Sequence, residues 1–295
     1  MSAIILEGAP VAKLVIDGLS EKIRKYTASG KRKPALAVLL IGNDPASEVY
    51  VKTKIRACTE VGIESHLKRF GSNVDKFKII AELEALNEDD TIDGILVQLP
   101  LPVQIPSEEI LRNIAPDKDV DGLHLYNLAL LFAGRPGFQP CTPKGIMALL
   151  AHYHIPISGK HAVVIGRSNL VGKPVAALLL QQNATVTICH SKTNNLPALC
   201  KEADILVVAA GQKQLVDKSW VKPGACIIDV GIHRQNNSEG KAQLVGDVLF
   251  DEVKSIAGYI TPVPGGVGKM TVAMLMANTI LAYEQHLGVC RGEEP

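Results

Sequence analysis

The sequence contains no Cys-x-x-Cys pair, no internal repeat, no low-complexity tract and almost no net charge. Its six cysteines, at positions 58, 141, 189, 200, 226 and 290, are scattered. Such spacing gives no disulfide framework and no zinc motif, and it fits a reducing compartment. A formal net charge of +1 excludes bulk attraction to nucleic acid or to an anionic membrane. No apolar run approaches the roughly 18 residues of a membrane span. The opening MSAIILEG has no basic stretch and meets Glu7 early, so a secretory leader is not expected. A cytoplasmic protein is the default expectation.

What is present is ordinary for a globular enzyme: 47% hydrophobic and 21% charged residues over a length, 295 residues, that suits two domains. Apolar strand-like runs alternate with helical segments. PALAVLLIG (34–42) reads as a buried strand, and Asp44-Pro45 then caps and starts a helix that stops near Gly62. A second helix lies around VDKFKIIAELEAL, and IDGILVQLP (92–100) is another strand. A second series opens at Thr142-Pro143, with strands expected at 162–165, 184–189, 204–210, 225–231 and 258–263. The last helix, roughly 270–288, is long enough to pack back on the first domain. HRQNNSEGKAQ (233–243) reads as an exposed loop. Strand-helix alternation implies parallel βαβ units. The expected fold is therefore α/β with two parallel-sheet domains, 1–139 plus 272–295 and 140–271. In such folds ligands gather at the carboxyl ends of strands.

One of those ends is HAVVIGRSNLVG (161–172). Gly166 closes an apolar strand, and a helix expected from about Leu170 points its N-terminus at the turn, a favourable place for phosphate. The next strand ends in Cys189-His190-Ser191-Lys192. An NAD site usually carries an acidic residue there to accept the ribose 2′-hydroxyl. This chain has donors instead, and Arg167 offers a fork that matches phosphate. NADP is the dinucleotide these residues ask for. The competing reading makes Gly166 and Gly172 mere packing glycines.

In YVKTK, Tyr50 and Lys54 share a helix face, and Val51, Ile55 and Cys58 form the adjacent apolar one. Most lysines are solvated. Lys54 stands out through Gln98, a polar residue closing the apolar run GILVQ. A lysine deprived of water gives up its proton more readily, which suits proton transfer. Tyr50 offers a flat face to an aromatic substrate. In PDKDVDG (116–122), D-x-D-x-D-G opens like a calcium loop, but its twelfth position is Leu128, so calcium is not expected. One carboxylate there, Asp121, suits paired N–H donors of a heterocycle. TPVPGGVGKM (261–270) combines stiffening prolines with glycines that let a ligand reach the backbone. His152 and His154 have no third ligand, and no metal is expected. The cysteines read as buried apolar residues.

Together, YVKTKIRACTEVGI, DGILVQLPLP, PDKDVDGLHLYN, PCTPKGI, VVIGRSNLVGKP and TPVPGGVGKMTVAM resemble the bifunctional methylenetetrahydrofolate dehydrogenase/methenyltetrahydrofolate cyclohydrolase family. The resemblance implies a folate-binding catalytic domain, a Rossmann-like NADP-binding domain, and a cleft where tetrahydrofolate derivative and cofactor meet. It implies that Lys54 serves the hydrolysis, Gln98 tunes it, Tyr50 stacks on the aminobenzoate ring and Asp121 holds the pterin. Gly166, Arg167, Ser168, Ser191 and Ile232 would contact NADP, and Pro264 and Gly265 the substrate. A homodimer through the nucleotide domain is likewise implied. The chain departs from the family at Lys269, where proline is usual, and at Leu125 in His-Leu-Tyr-Asn. Two other readings are a different two-domain NADP dehydrogenase and a catalytically silent NADP-binding regulator.

Overall fold

The structure is a computed structural model and describes residues 2–236 and 242–289. In chain order the elements are β1 (Ile4–Ile5), α1 (Gly8–Ala28), β2 (Ala35–Ile41), α2 (Pro45–Val61), β3 (Glu64–Phe70), α3 (Lys76–Glu88), β4 (Gly94–Val97), α4 (Ser107–Leu111), α5 (Leu125–Phe132) and α6 (Cys141–His152). They continue as β5 (His161–Ile165), α7 (Gly172–Gln181), β6 (Thr185–Cys189), α8 (Leu196–Lys201), β7 (Ile205–Val208), β8 (Cys226–Asp229), β9 (His233–Asn236), β10 (Ala242–Val245), α9 (Phe250–Val253), β11 (Tyr259–Ile260) and α10 (Val267–His286).

The chain divides into two compact units. One, here the Lys54 unit, takes Lys13–Cys141 with residues from Val272 onward; the other, the Gly166 unit, takes residues up to Ala12 with Thr142–Thr271. Residues 2–12 thus lie in the second-series unit, whereas the sequence reading assigned them to 1–139. The reason is strand pairing. Ile4 and Ile5 add a parallel strand to Tyr259 and Ile260, and Gly8 N–H donates to Gly265 O at 2.8 Å.

The Lys54 unit is built on a parallel sheet of order β3-β2-β4. All of β2 is buried, as a run without polar residues requires. Strand β3, absent from the sequence reading, pairs with β2 along its whole length. Its sequence, ESHLKRF, alternates exposed and half-buried positions and carries the charges typical of an edge strand. Asp44 caps α2 by accepting from Ser47 N–H and Ser47 hydroxyl, each at 2.8 Å. At the other end Gly62 has φ 96° and donates to Cys58 O. Gly62→Ala is expected to lower stability by about 1 kcal/mol, because an L side chain strains the left-handed region; urea unfolding measures it.

Helix α10 carries the expected packing onto this unit. Asn278 Nδ2 donates to Val120 O at 2.8 Å and Gln139 O at 3.0 Å, and Tyr283 hydroxyl donates to Arg32 O at 2.6 Å. Nearby, Asp93 is fully buried and receives Arg32 in a fork at 2.7 Å, Ala35 N–H at 2.8 Å and His286 Nδ1 at 3.0 Å.

The Gly166 unit holds a six-stranded sheet of order β1-β11-β8-β7-β5-β6, all of its pairings parallel. Counting β5 as the first strand, its neighbours run 2-1-3-4-5, a doubly wound order whose direction reverses between β5 and β7. Of the stretch 233–243, expected as an exposed loop, residues 237–241 lie outside the described residues; its described ends instead join an antiparallel pair, β9 with β10, with His233 opposite Val245. Its polar residues hide the strands, because pairing here rests on backbone bonds rather than an apolar face. No helix among the described residues is long and apolar enough to cross a membrane.

Candidate active site

In the Lys54 unit, α2 leaves the carboxyl end of β2 and presses a stripe of Ser47, Val51, Lys54, Cys58 and Val61 inward. Lys54 occupies a core position on that stripe and is 9% exposed. Its ammonium donates to Gln98 Oε1 at 2.9 Å. Gln98, also buried, follows β4, and its amide donates to Leu99 O at 2.6 Å. That second bond fixes which end of the amide faces the lysine: nitrogen toward the backbone carbonyl, oxygen toward Lys54. Tyr50 stands one turn before Lys54 on α2 and is 42% exposed, leaving its ring face open.

Asp121 enters through a backbone bridge. Asp119 pairs with Ile95 in parallel, so the chain through Asp121 leaves the sheet at the same carboxyl end as Gln98. The Asp121 carboxylate accepts no hydrogen bond from any described residue. Asp119 is buried, and burial pushes its carboxyl up to about 6 against the bonds from Asn127, His124 N–H and Leu123 N–H; the neighbouring Asp121 charge pushes the same way. Asp119 therefore shapes the turn while Asp121 remains available. Sequence reading weighed Asp121 and missed Asp119 and Asn127. The only sign was the acid-rich turn itself.

Burial pushes the Cys58 thiol, next to Lys54 on α2, up to about 12, with the Lys54 charge pulling the other way. It is not a nucleophile at neutral pH. Cys141, Cys189, Cys200 and Cys226 are likewise buried, as expected, and form no disulfide among the described residues, while Cys290 lies outside them. Among the described residues no group of three or more His, Cys, Asp and Glu could hold a metal.

In the Gly166 unit, Ile165 pairs with Cys189, and Gly166 N–H continues the ladder to Cys189 O at 2.9 Å. Arg167 and Ser191 follow on adjacent strands, both exposed, as is Lys192. No carboxylate occurs among Gly166–Asn169 or His190–Lys192. Both glycines have packing reasons. A Cβ on Gly166, where φ is 124°, would overlap Ala209 O, and one on Gly172 would overlap Gly166 O. Helix α7 begins at Gly172, two residues later than the sequence suggested, because Ser168 Oγ accepts from Val171 N–H at 3.1 Å and Gly172 N–H at 3.4 Å and holds a turn before it. Ile232 is 46% exposed, and its Cδ1 lies 3.6 Å from where a Cβ on Gly268 would stand. Pro264 is exposed; Gly265, with φ 111°, lends its carbonyl to Gly8.

Two further carboxylates, absent from the sequence reading, are Asp229, which closes β8, and Asp247, which follows β10 and accepts from Ala210 N–H and Gly211 N–H beyond β7. Asp229 is pushed up to about 6 by burial, despite accepting from Asp247 N–H, Val248 N–H and Gly231 N–H; the Asp247 charge adds to the rise. Asp247 is fully buried. The sequence signal was a charged residue closing an apolar strand, CIID, and the acid after the short apolar stretch LVG.

These residues match known proteins over nearly the whole chain. The domain family "Tetrahydrofolate dehydrogenase/cyclohydrolase, catalytic domain" matches residues 6–121, and its "NAD(P)-binding domain" partner matches residues 140–287. The chain belongs to this family. A relative from Paraburkholderia phytofirmans, called bifunctional protein FolD, is 49% identical over 285 residues, covering 97% of this chain and 98% of its own. The crystal structure of the bifunctional dehydrogenase/cyclohydrolase FolD of Campylobacter jejuni superposes with a TM-score of 0.92 at 44% identity, covering 96% of this chain and 99% of that one. The Trypanosoma brucei dehydrogenase-cyclohydrolase, solved with NADP cofactor and inhibitor, also reaches 0.92, at 37% identity, covering 97% and 99%. The family domains coincide in order with the Lys54 and Gly166 constellations.

Proposed function

We propose that this chain is a bifunctional one-carbon folate enzyme. It oxidises 5,10-methylenetetrahydrofolate to the methenyl cation with NADP⁺, then hydrolyses the cation to 10-formyltetrahydrofolate. One observation carries the reading: an amine at a core position, aimed by Gln98, in a chain that matches both family domains end to end.

Bound NADP⁺ supplies the hydride acceptor. The β5–β6 ends fit a dinucleotide with an extra phosphate, since Ser191 and Lys192 stand where an NAD site would carry a carboxylate and Arg167 in the turn after β5 adds a phosphate-matching fork. Gly166, Arg167, Ser168, Ser191 and Ile232 are the residues assigned to hold it. The oxidation needs positioning and no acid or base from the chain.

The hydrolysis does need proton handling. Water adds to the methenyl carbon and gives up a proton; the carbon–nitrogen bond then breaks as the ring nitrogen takes one and the remaining hydroxyl gives up its own to become the formyl carbonyl, so that one proton is released overall. Lys54 is assigned to move that proton, and Gln98 to hold its nitrogen on line. Asp121, with no bond to a described residue, accepts the pterin N–H donors, and Tyr50 stacks on the aminobenzoate ring. Pro264 and Gly265 keep a substrate-contacting role. A cytoplasmic setting agrees with buried cysteines that form no disulfide among the described residues. A homodimer through the Gly166 unit agrees with the open edge at β6, where Ile188 is 42% exposed.

An absorbance assay with methylenetetrahydrofolate and NADP⁺ tests the whole reading. NADPH should appear together with a transient methenyl band that decays to formyl product. Absence of cofactor reduction would remove the proposal. Arg167→Ala is expected to raise the KM for NADP⁺ about 10- to 100-fold, the range of a charged hydrogen-bond fork, while barely altering that for NAD⁺. Equal losses for both cofactors would show that Arg167 does not read the phosphate.

A further inference from the structure

We infer that Asp247 is a positioning residue for the dinucleotide, with His233 keeping it in register. The inference rests on the proposed use of a dinucleotide by this unit, and it adds a role for residues outside the phosphate turn.

Asp247 ties three segments together. Its Oδ2 accepts from Ala210 N–H and Gly211 N–H, each at 2.8 Å. Its Oδ1 accepts from His233 Nε2 at 2.7 Å. Its own N–H donates to Asp229 Oδ1 at 2.9 Å. A Cβ on Gly231 would overlap the Asp247 carboxylate, and a Cβ on Gly246 would overlap that of Asp229, so the chain closes on both acids without room for a side chain.

The location makes this more than general bracing. Ala209–Gly211 leaves β7 next to Gly166, at the reversal of strand order where doubly wound sheets bind ligands. Ala210 and Gly211 are exposed on their other side. By taking both N–H groups, Asp247 fixes that loop and removes two donors from an incoming phosphate, leaving anion recognition to the Arg167 turn. The His233 bond acts on the adjacent residue, Ile232. Anchoring the imidazole sets the strand start from which Ile232 projects. Asp247 thus positions the β7 loop and Ile232 and does not touch the 2′-phosphate side at Arg167 and Ser191. A change at Asp247 should weaken NADP and NAD alike, in contrast to Arg167→Ala.

The test uses the full chain and direct binding. NADPH and NADH dissociation constants are measured by fluorescence for wild type, Asp247→Asn, Asp247→Ala and His233→Leu, with Tm recorded for each. Asp247→Asn keeps the shape but has one acceptor oxygen; if that oxygen keeps the loop, its amide must meet His233 as a donor and forces the other ring tautomer. Asp247→Ala is expected to weaken both dinucleotides about tenfold or more, by similar factors, and to lower the ratio of dehydrogenase to cyclohydrolase activity. Asp247→Asn should fall between it and wild type. His233→Leu should act in the same direction if the alanine variant does not fold. Wild-type dissociation constants in the variants would overturn the inference. So would a loss confined to NADPH, or two activities falling in parallel with Tm, which would mark a scaffold role. Wild-type protein that bound neither dinucleotide would sink the underlying reading as well.

Discussion

Lys54→Ala is expected to lower hydrolysis of methenyltetrahydrofolate by about 10²–10⁴-fold, the usual share of a positioned proton-transfer group. The prediction follows from placement. The ammonium is buried on the apolar stripe of α2, and its described hydrogen bond is to Gln98. Burying a lysine there costs free energy that a leucine would not, so the residue is best explained by chemistry. Lys54→Met separates the contributions: it keeps an apolar stem as long as the lysine's up to Cε, with sulfur in place of Cδ, and removes the nitrogen. Its hydrolysis should be as poor as that of the alanine variant, while its Tm should be at least that of wild type. Gln98→Ala should lower the rate less, because it loosens the amine without removing it. Hydrolysis within about threefold of wild type in Lys54→Met would move the proton chemistry to another group.

Asp93→Ala should be the most destabilising single change, about 2–3 kcal/mol by urea unfolding at neutral pH. It strands Arg32, Ala35 N–H and His286 at once, and the figure is taken toward the low end because Arg32 is one-third exposed. Burial alone would raise this carboxyl, but the bonds from Arg32, His286 and Ala35 N–H outweigh it and hold it below the usual carboxylate range. A lowered folded value means the contribution is present above the unfolded value near 3.9 and is lost as pH falls through the folded one. The gap between wild type and variant should therefore be full at pH 7 and shrink below about pH 4. A gap that stayed constant into that acid range would show that Asp93 works by packing rather than by charge.

How far the sequence foretold this depends on where each element's stability comes from. Strand β2 and helix α2 were readable because their signals are local: an unbroken apolar run, an Asp-Pro cap, a glycine stop. Lys54 and Gln98 were chosen for being polar in apolar surroundings, and the structure joins them by a hydrogen bond. The rest was encoded in partners far along the chain. Strand β1 is two residues long and exists through its pairing with β11. Strand β3 is charged and polar because it lies at an edge. Helix α1 was missed although it is 21 residues long, its cap and stop signals being weak. Asp119, Asp229 and Asp247 look like ordinary surface acids until the backbone N–H groups that surround them are in place.

The division of the chain also sets an order of assembly. During synthesis, the Gly166 unit has all of its residues once Thr271 has emerged, whereas the Lys54 unit must wait for the last part of α10, with Asn278, Tyr283 and His286. Most of the Lys54 unit, Lys13–Cys141, is made before most of the Gly166 unit yet is completed after it, so its apolar strands stay unfinished for much of translation.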